Sequence, residues 1–407
     1  MIFKAAKKAL FVLTGCMCVA SPAFAEAVPY FSADVLGGQY FYDGNSGSLS
    51  ANADVTASVG LDAGSWFLTP IYEGRYQSTQ QVYDIVGGGT MFNQMMSHRL
   101  SLSAIYEFAY GWTVKPEAGY KIYYLNETRD EKWGTGLFDY RRTNTAVTVE
   151  HIYADPFSVR FEADLYWLKF PNYTSLESQV GGDMARELAG KDVINSSNLA
   201  FTASINGRLN MFLWDAALGY TRQSFGSQHV VNELGLFDSA TRNDNLVSGR
   251  ATLKYPVKLS PSSIVIPGLS LTCAHNGSNQ NSYDATSAKF VPEFYNYSKA
   301  RVGADAEYRR LVPEYKNKYL AVDFGLSYGR TSYPSRPVQN SAGAYGTDNI
   351  YLNEYVWRLS GSYPVSQKVD VVASVMYGNQ TSNMSYEKLY VYNFNIFTYL
   401  AGVKYEF

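Results

Sequence analysis

Beyond residue 25 the 407-residue sequence has no apolar run approaching the ~18 residues that a membrane-spanning helix needs. Cysteine is scarce, 3 in all, and two of them, Cys16 and Cys18, sit near the N-terminus. Cys273 alone remains in the body of the chain, too little for a disulfide framework or a cysteine-based metal site. The 4 histidines, His98, His151, His229 and His275, are far apart in sequence. There is no HExxH pair and no GxSxG elbow, which excludes zinc and serine hydrolases of those classes. The one pairing of note for an enzyme is His98 with Ser97 and Ser101; the alternative is a lone histidine at a strand end. Charge is sparse at 17 % and balanced at a net −2. So even a balance carries no footprint for nucleic acid or another polyanion.

Tyrosine is abundant instead, 35 residues within an aromatic content of 15 %. With so little charge and no long apolar run, this composition fits a large β-protein or a membrane barrel with aromatic girdles. Residues 1–25 read as an export signal. Lys4, Lys7 and Lys8 form its basic end, Ala9 to Ala20 its apolar core, and Ala23-Phe24-Ala25 its cleavage site. Leu13-Thr14-Gly15-Cys16 also matches a lipoprotein box, with only Ala9 to Leu13 as its core. Cleavage after Ala25 removes three lysines and no acid, leaving a more acidic chain. Residues 26–407 then form a single domain.

Alternating runs recur through that domain, and their period of two predicts strands. They cover 30–42, 52–62, 66–77, 97–109, 112–125, 140–153, 157–170, 197–208, 211–223, 244–256, 264–276, 294–309, 318–330, 350–363, 368–380 and 389–407. Most reach the ~9–11 residues of a tilted spanning strand. Connections alternate in length. Long polar ones cover 44–51, 78–96, 126–139, 171–196, 224–243, 277–293, 331–349 and 381–388; short ones include 62–65, 110–111, 155–156, 209–210, 259–263, 311–317 and 364–367. The expected fold is all-β: one closed antiparallel transmembrane barrel of sixteen strands, with turns at one rim and loops at the other. An even strand number brings both chain ends to one rim, so the first strand can pair with the last and leave no edge.

Each run has one greasy and one wettable face. In 157–168, Phe157, Val159, Phe161, Ala163, Leu165 and Trp167 oppose Ser158, Arg160, Glu162, Asp164 and Tyr166. In 112–124, Trp112, Val114, Pro116, Ala118, Tyr120, Ile122 and Tyr124 oppose Thr113, Lys115, Glu117, Gly119 and Lys121. Through the spanning parts no Asp, Glu, Lys or Arg falls on the apolar face, where a basic residue at mid-bilayer would cost about 2–4 kcal/mol. The wettable face cannot form a dry core, because unpaired buried charge is too costly. It is expected to line water or a network of paired charges, while the apolar face meets lipid.

The last run ends Phe397, Thr398, Tyr399, Leu400, Ala401, Gly402, Val403, Lys404, Tyr405, Glu406, Phe407. It resembles the C-terminal signal of bacterial outer-membrane β-barrels, and the chain as a whole resembles general porins in strand number and loop alternation. That resemblance implies the cell outer membrane as the location, outer-membrane lipid and the barrel-insertion machinery as partners, and Tyr399, Val403, Tyr405 and Phe407 as the insertion signal. It departs from general porins in its third loop, 126–139, which is short; loop 171–196 is then the candidate for a constriction.

The expected lumen-lining charges are the bases Arg75, Arg99, Lys115, Lys121, Arg142, Arg160, Arg250, Lys254, Lys299, Arg301 and Arg358, and the acids Asp54, Glu73, Glu107, Glu117, Glu150, Glu162, Asp164, Asp215, Asp305, Glu307, Asp323 and Glu354. They read either as a transverse field acting on passing solutes or as mutually paired charge that keeps the interior wet. Their balance argues against strong ion selectivity. In the long loops, Thr174-Ser175-Leu176-Glu177 offers a capping box and predicts a short helix from Glu177 to Ala189, inward-folded or superficial. Gly87-Gly88-Gly89 with Met91, Met95 and Met96 reads as a hinge or as disordered loop. Tyr123, Tyr166, Tyr295, Tyr297 and Tyr319 on the wettable face suit stacking on sugar rings, or mark the rim.

The functional expectation is a channel for small hydrophilic solutes, with no cofactor and no metal. A barrel sheathing a partner, for polymer export or a threaded cytochrome, is the alternative; an outer-membrane enzyme is a third. A second copy of the chain, or a periplasmic or extracellular protein, is a possible partner.

Overall fold

The computed structural model of the protein describes residues 27–43, 47–83, 90–127, 130–152, 157–174, 190–284, 289–315, 317–387 and 391–407. The expected export signal, the expected helix Glu177–Ala189 and the Gly87–Gly89 hinge lie outside the described residues. The strands are β1 (Ala27–Tyr42), β2 (Ser48–Ala63), β3 (Trp66–Tyr83), β4 (Thr90–Ala109), β5 (Trp112–Asn126), β6 (Tyr140–Ile152), β7 (Phe157–Lys169), β8 (Ser196–Leu209), β9 (Phe212–Val231) and β10 (Phe237–Lys254). They continue as β11 (Val257–Ser260), β12 (Ser263–Ser278), β13 (Ser282–Asp284), β14 (Lys289–Val291), β15 (Tyr297–Leu311), β16 (Tyr319–Gln339), β17 (Tyr345–Pro364), β18 (Val369–Ser382) and β19 (Phe394–Glu406). Among the described residues there is no helix.

Each long strand pairs antiparallel with the next, and β1 pairs with β19, which closes the sheet. The result is a 16-strand barrel, with the short β11 as an extra strand against β12. The seam runs from Ser32 opposite Glu406 to Tyr42 opposite Ile396. Phe407 finishes it: its N–H donates to Phe31 O at 2.8 Å, and Phe31 N–H donates to Phe407 O at 3.1 Å. The C-terminal residue is therefore held in the ladder rather than frayed. Closure removes the unpaired edge that an open sheet would present.

Two glycines make this seam possible. A Cβ on Gly38 would fall on the backbone carbonyl of Tyr399, and one on Gly402 on that of Val35. The tight turns rest on left-handed residues, among them Gly64 (φ 77°), Gly111 (φ 72°) and Asn210 (φ 55°). Glycine adopts that region without the steric penalty of a Cβ, and Asn tolerates it.

Sequence and structure differ at the long-loop rim. Much of the expected loops 78–96, 224–243 and 331–349 is strand: β3 runs to Tyr83, β9 to Val231 and β16 to Gln339, with β4, β10 and β17 starting correspondingly early. These extensions stay hydrogen-bonded as hairpins, with register shifts after Thr79 and around Thr241 and Pro337. In sequence, polar residues fall at both odd and even positions of these extensions, so they lack the alternation that marks a half-apolar strand. The last strand is shorter than expected, beginning at Phe394 instead of Leu389.

The register carries one face unbroken around the barrel. Asp34 opposes Asp54, Asp54 opposes Arg75, and the same face continues through Arg99, Lys121 and Arg142 to Asp164. Past β8 it passes Asp215, Thr252, Gly303, Asp323 and Arg358 and returns through Lys404 to Asp34. On the other face stand large exposed hydrophobics: Leu218 at 71 %, Leu269 at 60 % and Phe161 at 54 % exposure, with Leu100, Leu102, Trp167 and Leu326 among others. A continuous apolar surface of this extent has no counterpart on soluble monomers. On a closed antiparallel barrel it is the lipid-facing band of an outer-membrane protein. Near one rim of that band Tyr220, Tyr328 and Tyr399 donate to Asn245 (2.8 Å), Asn353 (3.0 Å) and Gln39 (2.6 Å). Such tyrosines sit where one end is greasy and the other wet.

Candidate functional site

All the charged residues expected from the sequence share the polar face, because consecutive strands bring them into register. Their densest part lies on β3 to β7. At one level Glu73, Arg99, Lys121 and Arg142 stand side by side on four successive strands. Nearer the short turns, Glu117 and Asp164 flank Ala146. Arg99 bridges the two levels, donating to Glu73 at 2.9 Å and also to Glu117. Arg142 donates to Asp164 at 2.6 Å while its guanidinium lies 4.0 Å from the Tyr166 ring. Lys115 pairs with Glu150, and Arg160 with Glu162 at 2.5 Å.

Lys121 is different. It stands opposite both Arg99 and Arg142, and among the described residues no carboxylate pairs with it. Its nearest ring is Tyr123, at 5.7 Å. Like charges directly opposite each other on a sheet are destabilising. Here three cations are held in a row, and two are neutralised, Arg99 by Glu73 beside it and by Glu117, and Arg142 by Asp164. Together with Ser103, Asn144 and Thr148 these side chains enclose a cavity of about 390 Å³.

The remaining expected residues form smaller groups on the same face. Arg75 pairs with Asp54 at 2.5 Å, Arg250 with Asp215 at 3.5 Å, and Lys254 with Asp305 at 4.0 Å. Glu354 receives both Lys299, at 3.5 Å, and Arg301. Glu307 is held by Arg309 near a short turn. Glu107 accepts the Gly111 N–H at 3.2 Å, so it fixes the β4–β5 turn rather than joining the network. Asp323, opposite Ser360, and Arg358, opposite Gly325, lie on the same polar face, and among the described residues neither forms an ion pair.

The histidine pairing does not survive. His98 projects from the apolar face of β4, opposite to Ser97 and Ser101, and its Nδ1 lies 2.9 Å from the Tyr72 hydroxyl. His275 sits with Ser298 at 2.9 Å, also on the apolar face. Among the described residues no group of His, Cys, Asp and Glu could hold a metal ion.

A second cavity, about 430 Å³, opens toward the long-loop rim. Sequence reasoning singles out Tyr166, Tyr295 and Tyr297 there but misses Arg242, Asp244, Tyr333 and Arg336. Most of these fall at the ends of β10 and β16, in stretches that read as loop. The available signal was phase: Arg242 and Asp244 continue the alternation of Arg250 and Lys254. Arg242 pairs with Asp244 at 2.6 Å, nearly buried, between the rings of Phe225 (4.5 Å) and Tyr295 (3.9 Å).

Between β5 and β6, outside the spanning strands, Asp139 is buried at 2 % exposure. Its Oδ1 accepts the Leu125 N–H at 2.8 Å, and among the described residues its Oδ2 has no partner. Burial raises its carboxyl above the usual range, against the lowering effect of backbone N–H groups of Leu125 and Gly136.

No family model and no curated protein matches the chain. Several solved structures resemble it in overall shape. A bacterial polysaccharide outer membrane secretin is 11 % identical, covers 93 % of this chain and 98 % of its own, and has a TM-score of 0.46. The outer membrane protein OpdK from Pseudomonas aeruginosa is 9 % identical, with 94 % and 99 % covered and a TM-score of 0.47. The trimer form of OmpT, an outer membrane protein of Vibrio cholerae, is 10 % identical, with 94 % and 99 % covered and a TM-score of 0.45. Identities this low transfer no solute and no site.

Proposed function

We propose that the barrel is an outer-membrane channel that passes small hydrophilic solutes along a polar lumen. The observation that supports this best is the unbroken polar face, rich in charge, closed on itself around the barrel and backed by an equally unbroken apolar one. Charges in such number need water or partners, and a barrel that turns its apolar face to lipid turns the other inward. The lumen is then lined by the charges named above, narrowed on one wall by the Arg99–Lys121–Arg142 row. In the same reading Tyr399, Val403, Tyr405 and Phe407 serve as the insertion signal, and all four lie on the lipid-facing side of the seam strand.

Swelling of liposomes that contain the purified protein tests the reading. In isosmotic monosaccharide the liposomes swell faster than protein-free ones, and a large dextran gives no swelling. Folded, inserted protein that gives no swelling with any small solute would reject the channel.

A further inference from the structure

We propose that the second cavity is a binding subsite at the channel mouth for a monosaccharide that carries one anionic group. The proposal rests on the channel reading for the way solute arrives. Its own support is the chemistry of the cavity wall.

Arg336 is the anchor. Its Nε donates to Phe294 O at 2.8 Å, which fixes the guanidinium plane. Phe294 and Tyr333 lie 3.9 and 4.2 Å from its guanidinium carbon. Among the described residues no carboxylate pairs with it; the titratable groups around it are the phenols of Tyr333, Tyr295 and Tyr392, neutral at pH 7. The other arginine of the cavity, Arg242, is already neutralised by Asp244. Arg336 thus offers the cavity an oriented, uncompensated fork. A guanidinium held this way favours a planar carboxylate or a phosphate, which it can bind through two parallel N–H groups.

The rest of the wall sets the class of ligand. Tyr166, Tyr297 and Tyr333 supply ring faces and hydroxyls. Gln223 and Asn276 add amide oxygens, their nitrogens donating to Ser196 Oγ at 3.1 Å and Tyr295 O at 3.0 Å. A sugar ring presents C–H faces to stack and several hydroxyls to satisfy these groups. An aromatic acid would stack equally well but leave the tyrosine hydroxyls and the two amide oxygens without partners, and a site built for hydrogen bonds discriminates strongly against such a ligand. The cavity, about 430 Å³, lies within the ~300–1,000 Å³ of ligand pockets. Tyr166 belongs to this cavity and also lies against Arg142 of the charged row.

Isothermal titration of the purified full-length barrel in detergent tests the subsite without requiring conduction. The probes are galacturonate, glucose 6-phosphate, galactose and benzoate. Galacturonate or glucose 6-phosphate is expected to bind at least about tenfold more tightly than galactose and benzoate; which of the two binds better tells a carboxylate site from a phosphate site. Arg336→Gln and Tyr297→Leu should each weaken that binding about tenfold or more, with the heat-dependent gel shift of the folded barrel retained. Arg336→Lys serves as the second charge variant, keeping the charge but not the fork, and should recover only part of the affinity. Equal binding of galactose or benzoate, unaltered affinity in a folded Arg336→Gln barrel, or no binding of either anion would overturn the subsite. A barrel that binds galacturonate yet fails to swell liposomes would retain the subsite and reject the channel.

Discussion

Gly402 of the last strand lies so close to Val35 of the first that a methyl group on it would fall on the Val35 carbonyl oxygen. Gly38 stands in the same relation to Tyr399 one step along the seam. The barrel closes only because both positions lack a side chain. Gly402→Val is expected to block closure or force the two strands apart, a strain above the ~1–3 kcal/mol usual for overpacking. Gly37→Ala is the control, since among the described residues nothing lies within 4 Å of the methyl it would add. Refolding into detergent, read by the heat-dependent gel shift, should fail or fall severalfold for Gly402→Val and be unaffected for Gly37→Ala.

Lys121 stands between Arg99 and Arg142 and, among the described residues, has no acid of its own. Replacing it with Glu places an acid between two cations, which relieves like-charge opposition and reverses the local field. In a salt gradient across a planar bilayer, Lys121→Glu should shift the zero-current potential toward cation preference. The permeability ratio should change by roughly two- to fivefold, as expected if about 1 kcal/mol survives screening in a wet pore. The same variant should unfold at a higher temperature than wild type. An unchanged zero-current potential would mean that Lys121 does not face the conducting path.

Much of the barrel is legible in the amino-acid sequence. The strand ladder, the faces of Phe161, Trp167, Arg160 and Glu162, and the pairing of first and last strands all follow from a period of two. What stays hidden has no period to show. Residues around His229, Thr241 and Pro337 are polar on both sides, so strand and loop look alike there, and the cavity around Arg336 is hidden with them. Cross-strand register is equally out of reach. Arg99, Lys121 and Arg142 are separated by about twenty residues each, and only the hairpin geometry sets them side by side. His98 shows the reverse error: sequence proximity to Ser97 suggests a pair, yet adjacent residues of a strand point to opposite faces.

Asp139 ties the β5–β6 loop to Leu125 through an oxygen that burial makes reluctant to ionise. Its folded value is raised above the ordinary 3.8. The folded loop thus binds a proton more tightly than the unfolded chain, and its stability falls as pH rises from about 3.8 through that raised value. Asp139→Asn keeps the accepting oxygen and removes the charge. Hydrogen exchange at the Leu125 amide should be slower in Asp139→Asn than in wild type at pH 7, with the two converging at pH values below 3.8. A Leu125 amide that exchanges faster in the variant at pH 7 would show that the carboxylate stabilises the loop.

Ala146 and Val147 are neighbours on β6 with opposite duties: Ala146 lies in the wall of the charged cavity, and Val147 is an exposed apolar residue on the other face. In a Cys273→Ala background, single-channel current through Ala146→Cys and Val147→Cys barrels, before and after a bulky charged thiol reagent in the aqueous phase, separates inside from outside. The account predicts a stepwise fall in current for Ala146→Cys and none for Val147→Cys. The opposite pattern, or block of neither in a conducting barrel, would contradict it.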